Sequence, residues 1–201
     1  RFHLPTAKLT PIYQIPSSGI AFDRIRQLWL HQQQLLIATN KGLIQFDMEN
    51  QTGTKISLGS ADEHDIIRHL YPSGQHLYIS SGQRLWRLPL TAFTSTSPTP
   101  AELLLSELPV VTMLQHQQGF LLGTTKGLYQ WIEGQQQPEL LWRFSQSNQT
   151  MSNELIVDMV ASEDGGLWLA SRDDGAYYWH PRSTSFRHLE LQPQKAMSPD
   201  N

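Results

Sequence analysis

The chain has no cysteine among its 201 residues, and this absence excludes several kinds of chemistry. Without thiols there are no disulfide bonds, no cysteine nucleophile and no cysteine-ligated metal. The sequence also has no apolar run near the roughly 20 residues that a transmembrane helix needs. This segment is therefore not expected to span a membrane, and the missing thiols are compatible with an oxidising compartment.

Charge is also sparse, since charged residues make up only 16% of the chain. The 15 basic and 18 acidic residues give a formal net charge of −3 and are spread along the sequence rather than grouped. Binding of nucleic acid through phosphate neutralisation needs a concentrated basic patch. We therefore predict that the chain does not bind nucleic acid.

A pattern of 15 residues recurs four times, at residues 25–39, 67–81, 111–125 and 157–171. Repetition at intervals of this length indicates an array built from one supersecondary unit. Three columns of the pattern are aliphatic, and the last column is a hydroxyl residue. The columns are Ile25, Ile67, Val111 and Val157; Leu28, Leu70, Leu114 and Val160; Leu35, Leu77, Leu121 and Leu167; and Thr39, Ser81, Thr125 and Ser171.

Each copy divides into short apolar runs separated by turn residues such as Ser73–Gly74 and Asp164–Gly165. Two further runs follow each copy, and a glycine after the hydroxyl column can supply the positive φ of a tight turn in most copies. Four short strands per repeat of this length are typical of a β-propeller blade. The sequence predicts an all-β fold, a partial β-propeller of about four four-stranded antiparallel blades. The nearest helical candidate, residues 152–160, is predicted as a strand because it is rich in β-branched residues and leads into an Asp-Gly turn.

The repeat boundaries predict one propeller segment over residues 1–201. A strand-like run at residues 12–15 belongs to no complete repeat, so we expect a fragment of a larger propeller. An unclosed array leaves apolar blade faces and strand edges unprotected, which predicts self-association. The predicted parts are a leftover outer strand and linker at 1–19, blades at 20–60, 61–107, 108–150 and 151–192, and the start of a fifth blade at 193–201.

The fourth copy carries the most specific motif in the chain. It places the turn of Asp164 and Gly165 before the strand Leu167–Ser171, then a loop with Gly175 and an aromatic strand with Tyr178 and Trp179. This arrangement resembles the two-component regulator propeller repeat. The first and third copies match in their second halves, ATNKGLIQFD and GTTKGLYQWI, and the second copy is the most degenerate.

The resemblance implies the extracytoplasmic sensing region of a membrane-bound signal-transduction receptor. It implies a periplasmic location, with the membrane reached only through other parts of the parent protein. The parent would carry a histidine kinase or a diguanylate cyclase as its output domain. No motif of either enzyme occurs in this segment, so we predict a non-catalytic sensor without a cofactor.

Two other functions are compatible with a propeller. One is an enzyme, a lyase or hydrolase that acts on polysaccharides or lactones, and the other is a scaffold that binds proteins. An enzyme would need an acid and a base that converge near the propeller axis. We find no histidine or carboxylate that recurs at the inner-strand positions.

Ligand contacts are expected on one face of the propeller, at the loops between the second and third strands of each blade. A basic or hydrogen-bonding residue occurs there in every copy, which favours a small polar ligand such as an oligosaccharide. The competing interpretation is that exposed loops are polar in any protein. The candidate residues are Lys41, Arg84, Lys126, Arg172 and Asp173.

Three other clusters are assigned structural roles. His64, His69 and His76 are divided among a loop, a strand and a hairpin end, so we predict no metal site. Trp168 lies in a repeated apolar column, which predicts packing between blades rather than a platform for sugars. The acidic residues Glu163, Asp164, Asp173 and Asp174 fall in two separate turns and are interpreted as turn formers.

Overall fold

The computed structural model describes residues 2–3, 8–9, 24–59, 66–95, 99–117, 119–143, 155–172, 175–180, 182–183 and 186–189. In this part of the chain the elements are β-strands and one short 3-10 helix, with no α-helix. The predicted all-β class is therefore confirmed. The predicted strand at 12–15 and the predicted fifth blade at 193–201 lie outside the described residues. A short antiparallel pair, β1 (Phe2–His3) and β2 (Lys8–Leu9), was not predicted.

Sixteen strands form four separate four-stranded sheets, each an antiparallel meander in chain order. We call the sheets blades 1 to 4, and their arrangement confirms the predicted partial propeller. Blade 1 contains β3 (Ile25–His31), β4 (Gln34–Thr39), β5 (Gly42–Asp47) and β6 (Thr52–Ile56); blade 2 contains β7 (Ile67–Ser73), β8 (His76–Ser81), β9 (Arg84–Pro89) and β10 (Glu102–Leu105); blade 3 contains β11 (Val110–His116), β12 (Gly119–Thr124), β13 (Gly127–Trp131) and β14 (Glu139–Trp142); blade 4 contains β15 (Ile156–Ala161), β16 (Leu167–Ser171), β17 (Ala176–Trp179) and β18 (Arg187–Leu189).

The chain divides into two compact units, residues 1–110 with 134–137 and residues 111–133 with 138–201. In the first unit, blades 1 and 2 share an apolar core. Polar side chains add specific links between the two sheets. The side chain of Gln27 accepts a hydrogen bond from the Leu70 N–H (2.7 Å) and donates one to the Leu70 carbonyl (2.9 Å). The core residues include Leu36, Ala38, Leu43, Ile67, Leu70, Leu77 and Ile79.

The segment between β9 and β10 contributes to the same core. It contains the 3-10 helix Leu90–Phe93, and Phe93 is buried against the ring of Trp29, with 6.3 Å between the ring centroids. The Phe93 carbonyl accepts a hydrogen bond from the side chain of Gln45 at 3.0 Å. An excursion that looks like a polar loop in the sequence therefore supplies an anchor for blade 1.

In the second unit, blades 3 and 4 pack through a core that includes Leu121, Leu128, Ile156, Met159 and Leu169. Gly123 lies at the closest approach of the two sheets. A Cβ atom at this position would lie 2.7 Å from Cγ2 of Thr112 and 2.8 Å from Cγ2 of Ile156. The absence of a side chain at Gly123 is thus what allows β12 to approach β15 so closely.

The repeat register of the third copy differs from the prediction. Thr124, not Thr125, is the equivalent of Thr39, because each pairs with the glycine that begins the third strand. Val110 and Met113 are correspondingly buried on β11, whereas the predicted Val111 and Leu114 are only half-buried. Two adjacent threonines make the two registers equally plausible in the sequence.

The first strand of the fourth copy is also shifted by one residue. Ile156 pairs with Ser171 as Ile25 pairs with Thr39, so its hairpin is one residue longer. Val157 and Val160 are exposed, so the prediction that these two residues occupy the aliphatic columns was wrong. The structural columns are Ile25, Ile67, Val110 and Ile156; Leu28, Leu70, Met113 and Met159; Leu35, Leu77, Phe120 and Leu167; and Thr39, Ser81, Thr124 and Ser171.

The prediction that Trp168 is packed between blades was wrong, because its side chain is 39% exposed. Leu36 packs against blade 2 and Leu121 against blade 4, and both are buried. Trp168 occupies the same column in blade 4, so it lies on the face directed away from blade 3. In blades 1 and 3 this column faces the next blade. In the part of the second unit that the structure describes, no further sheet covers Trp168.

Candidate functional site

The turn between the second and third strands, which we call the second turn of each blade, is held by a side-chain hydroxyl. In blade 1 the Oγ1 of Thr39 donates a hydrogen bond to the Gly42 carbonyl at 2.8 Å. The same oxygen accepts a hydrogen bond from the Lys41 N–H at 3.0 Å. Gly42 has a φ of +117°, which side chains other than glycine rarely adopt. These bonds fix the backbone of Lys41 at the end of the blade.

Blade 3 repeats this geometry. The Oγ1 of Thr124 donates to the Gly127 carbonyl at 2.8 Å and accepts from the Lys126 N–H at 2.9 Å. Gly127 has a φ of +128°, and the Thr124 side chain is fully buried. The sequence Thr-x-Lys-Gly therefore places a lysine at the same position in both blades.

Blades 2 and 4 use related second turns. Arg84 begins β9 opposite the buried Ser81 and is half-buried. In blade 4, the Ser171 N–H donates to the Gly175 carbonyl at 2.9 Å, and the Arg172 N–H donates to the Leu155 carbonyl at 3.1 Å. Arg172 is exposed, and the candidate Asp173 lies outside the described residues.

Within each unit, the second turns lie at one edge. In the second unit, Gly123 at the end of β12 contacts Ile156 at the start of β15, so Lys126 and Arg172 share an edge. In the first unit, the side chain of Gln27 on β3 is hydrogen-bonded to Leu70 on β7. Trp29 lies further along β3 and contacts Phe93, which lies beyond the end of blade 2 that is opposite its second turn. The first strands therefore run in the same direction, which places Lys41 and Arg84 at one edge as well.

A second polar cluster lies in blade 4, beginning at the turn between β15 and β16. Asp164 Oδ1 accepts a hydrogen bond from the Gly166 N–H at 3.0 Å, and Oδ2 accepts a short one from the Tyr178 hydroxyl. The Tyr178 bond, and then the Gly166 bond, lower the pKa of Asp164 to about 2. The hydrogen bond between Tyr178 and Asp164 also raises the pKa of Tyr178. Near neutral pH, the carboxyl is ionised and the phenol is protonated.

His180 connects this turn to the segment after β17. Its Nδ1 accepts a hydrogen bond from the Arg182 N–H at 3.1 Å, and its Nε2 lies 3.1 Å from the Asp164 carbonyl oxygen. Since Nδ1 accepts, Nε2 must carry the proton that is donated to the carbonyl. His180 therefore links the Arg182 backbone to the turn that contains Asp164.

The turn roles predicted for Glu163 and Asp164 are confirmed, because both lie in the turn between β15 and β16. The sequence did not reveal that Tyr178 and His180 join Asp164 in one cluster. The available signal was Tyr178, an aromatic residue that lies opposite an exposed position of the neighbouring strand. Asp174 lies outside the described residues.

His69 and His76 lie on β7 and β8, whereas His64 lies outside the described residues. In the described ranges, no three histidine, aspartate or glutamate side chains form a group that could hold a metal ion. The same ranges contain no helix that is long and apolar enough to cross a membrane.

Comparisons with known proteins identify related folds. No protein-family model and no curated protein sequence matches the chain, so membership of the two-component regulator propeller repeat family stays a prediction. Two crystal structures of an extracellular domain from B. thetaiotaomicron are similar over 94% and 90% of the chain, with TM-scores of 0.66 and 0.65. The sequence identities are 19% and 20%, and the protein is described as a hybrid two-component system in one structure and a one-component system in the other.

The chain spans about a quarter of these extracellular domains, 25% and 24% of their lengths. A further similar structure is that of YCF48 bound to D1 peptide, with a TM-score of 0.51 and 13% identity over 83% of this chain and 53% of that one. At these identities the similarity establishes the shared fold. The chain thus has the blade architecture of these extracellular domains.

Proposed function

We propose that the chain is a non-catalytic, ligand-sensing segment of the extracytoplasmic region of a membrane-bound signal-transduction receptor, located in the periplasm. Its ligand is a small polar or acidic molecule, with acidic oligosaccharides as the preferred class. The observation that carries this proposal is the recurrence of a basic residue at the second turn of every blade. The structural similarity to extracellular domains of two-component systems supports the same interpretation.

Rigid second turns suit a sensing surface. The paired hydrogen bonds of Thr39 and Thr124 fix the backbones of Lys41 and Lys126 before any ligand arrives. Less conformational entropy is then lost when the ligand binds. A receptor responds to its ligand only if two arrangements of the array differ in affinity for that ligand.

A catalytic role is less well supported by the chemistry of the described residues. An acid or base works best when its pKa lies near the operating pH. In the cluster of Asp164 and Tyr178, the pKa of the carboxyl is lowered and that of the phenol is raised. Both shifts move the groups away from neutrality, which favours a binding function over a lyase or hydrolase.

We call the edge of each unit that carries the second turns its ligand edge. It is tested by titrating the chain with an oligogalacturonate, using a neutral maltooligosaccharide of equal length as the comparison. We expect saturable binding of the acidic ligand only, observed as a rise in Tm and by calorimetry. Lys126→Ala and Arg172→Ala, at two exposed residues of one edge, should each weaken binding about fivefold, because each removes about 1 kcal/mol of charge-assisted hydrogen bonding. Arg182→Ala, at the other end of blade 4, is the matched loss of charge and should leave the affinity unchanged.

Equal binding of both ligands, or equal loss of affinity in all three variants, would rule out the second turns as the ligand edge. An effect that is additive in the double variant of Lys126 and Arg172 would place the two residues in independent contacts. A double variant no weaker than either single one would contradict contact by both residues.

Self-association stays a prediction and is part of the proposal. Leu28 and Leu30 of blade 1 are 56% and 60% exposed, and Val160 and Trp168 of blade 4 are 57% and 39% exposed. Leu70 and Met113, the equivalents of Leu28 in blades 2 and 3, are buried, and so are Tyr78 and Leu121, the equivalents of Trp168. Exposed faces of this kind favour pairing with another sheet.

A further inference from the structure

Blade 4 contains a polar cavity at the end opposite Arg172. The cavity has a volume of about 250 Å³ and is lined by Tyr178, His180, Arg182, Ser183 and Arg187. Tyr178 lies near the end of β17, and Arg187, its cross-strand partner, begins β18. Since the second turn adjoins the start of β17, this cavity is separate from the ligand edge proposed above.

The charges around the cavity are predominantly positive. Arg182 and Arg187 each carry a guanidinium group, a positively charged fork of donors. Nδ1 of His180 is engaged by the hydrogen bond from the Arg182 N–H. The nearby carboxylate of Asp164 is engaged by the Gly166 N–H and the Tyr178 hydroxyl, so both of its oxygens already have donors.

The wall of the cavity is built by backbone hydrogen bonds. The Arg182 N–H donates to Nδ1 of His180 at 3.1 Å, and the Ser183 N–H donates to the His180 carbonyl at 2.7 Å. Nε2 of His180 in turn donates to the Asp164 carbonyl at 3.1 Å. These bonds order the turn that carries Arg182 and Ser183, which reduces the entropy lost when a ligand binds.

We propose that this cavity binds a compact tetrahedral oxyanion, a phosphate or sulfate group. Two guanidinium forks offer donors to three or more oxygens, whereas a carboxylate presents only two oxygens. The volume is below the roughly 300 Å³ at which small-molecule pockets begin, which suits one anionic group rather than a large ligand. Trp168 packs on Tyr178 with 4.7 Å between ring centroids, so an aromatic surface adjoins the anion.

The test is calorimetric titration of the chain with inorganic phosphate, and separately with sulfate and acetate, at constant ionic strength. We expect saturable binding of phosphate and sulfate and at least tenfold weaker binding of acetate. Arg182→Ala and Arg187→Ala should each weaken phosphate binding about tenfold, the loss typical of a charge-assisted contact. Arg26→Ala, at an exposed arginine of β3 in blade 1, is the matched loss of charge and should bind phosphate like the wild type.

Both cavity arginines are exposed, so their variants should keep the wild-type circular dichroism spectrum and Tm. Arg187→Lys, which keeps the charge without the fork, should lie between wild type and Arg187→Ala. Phosphate binding that is absent, equal to that of acetate, or unaffected in Arg182→Ala and Arg187→Ala would overturn the proposal. The result is independent of oligogalacturonate binding at Lys126 and Arg172, so either proposal can fail alone.

Discussion

Gly127→Ala is expected to lower the free energy of unfolding by about 4 kcal/mol. Gly127 has a φ of +128°, a conformation that strains any residue with a Cβ atom. A Cβ at this position would also overlap the Trp142 carbonyl oxygen and lie 3.3 Å from Cα of Arg143. These are backbone atoms of β14 and its continuation, so relief requires the third and fourth strands to separate. Urea unfolding followed by circular dichroism measures the effect.

Gly134→Ala provides the matched control in the same blade. Gly134 has a φ of +94°, but no atom lies within 4 Å of the position that its Cβ would occupy. Only the backbone strain remains, which costs about 1 kcal/mol. If the two variants unfold at the same urea concentration, the close approach of β13 and β14 at Gly127 is wrong.

Trp131→Ala is expected to cost about 3 to 5 kcal/mol, and Trp168→Ala about 1 kcal/mol. Trp131 has the largest fully buried side chain of the described residues, at 1% exposure, and stacks on Phe120 with 6.0 Å between ring centroids. Trp168 is 39% exposed and packs mainly on its cross-strand partner Tyr178. The same substitution thus removes very different amounts of buried surface.

The measurement is the urea midpoint of each variant, with the slope compared to verify that the unfolded state has not changed. Each tryptophan variant is the control for the other, because both residues lie on central strands of their blades. Equal costs, or a larger cost for Trp168→Ala, would mean that Trp168 is covered and that the outer face of blade 4 is not open.

The strand order could be predicted from the sequence. Short apolar runs bounded by glycine and polar turns give short strands, and β16 (Leu167–Ser171) agrees with its predicted range at both ends. The period of the repeat then implies blades. The reason is physical, since each sheet must bury both faces against neighbours and therefore repeats its aliphatic columns.

The exact register could not be predicted in two copies. Thr124 and Thr125 are chemically identical, and only the hydrogen bond from Thr124 to the Gly127 carbonyl distinguishes them. In the fourth copy, Ile156 and Val157 are both β-branched, and the longer hairpin turn shifts the buried position to Ile156. A shift of one residue exchanges the two faces of a strand, so an aliphatic residue alone does not identify the buried column.

The candidate site was predicted unevenly. Lys126 was found from the sequence, because a hydroxyl followed by a glycine indicates a tight turn whose central residues are exposed, whereas the burial of Nζ of Lys41 was not predicted. The cavity beside Arg182 and Arg187 was missed although its lining residues all lie within positions 178–187, because the sequence does not show how the connection between β17 and β18 is shaped. The hydrogen bonds of Gln27 to Leu70 were missed because they join residues of different blades.

The central claim is that successive four-stranded sheets bury the faces of their middle strands against one another. Nuclear Overhauser effects test it directly in the methyl-labelled chain. We expect cross-peaks from the Gly123 Hα protons to the Cγ2 methyl of Ile156, and from the side-chain amide of Gln27 to the Leu70 N–H. In the second unit, cross-peaks from Ile156 to Leu122 in place of Gly123 and Leu121 would contradict the packing and register. In the first unit, the absence of a cross-peak between Gln27 and Leu70 would contradict them.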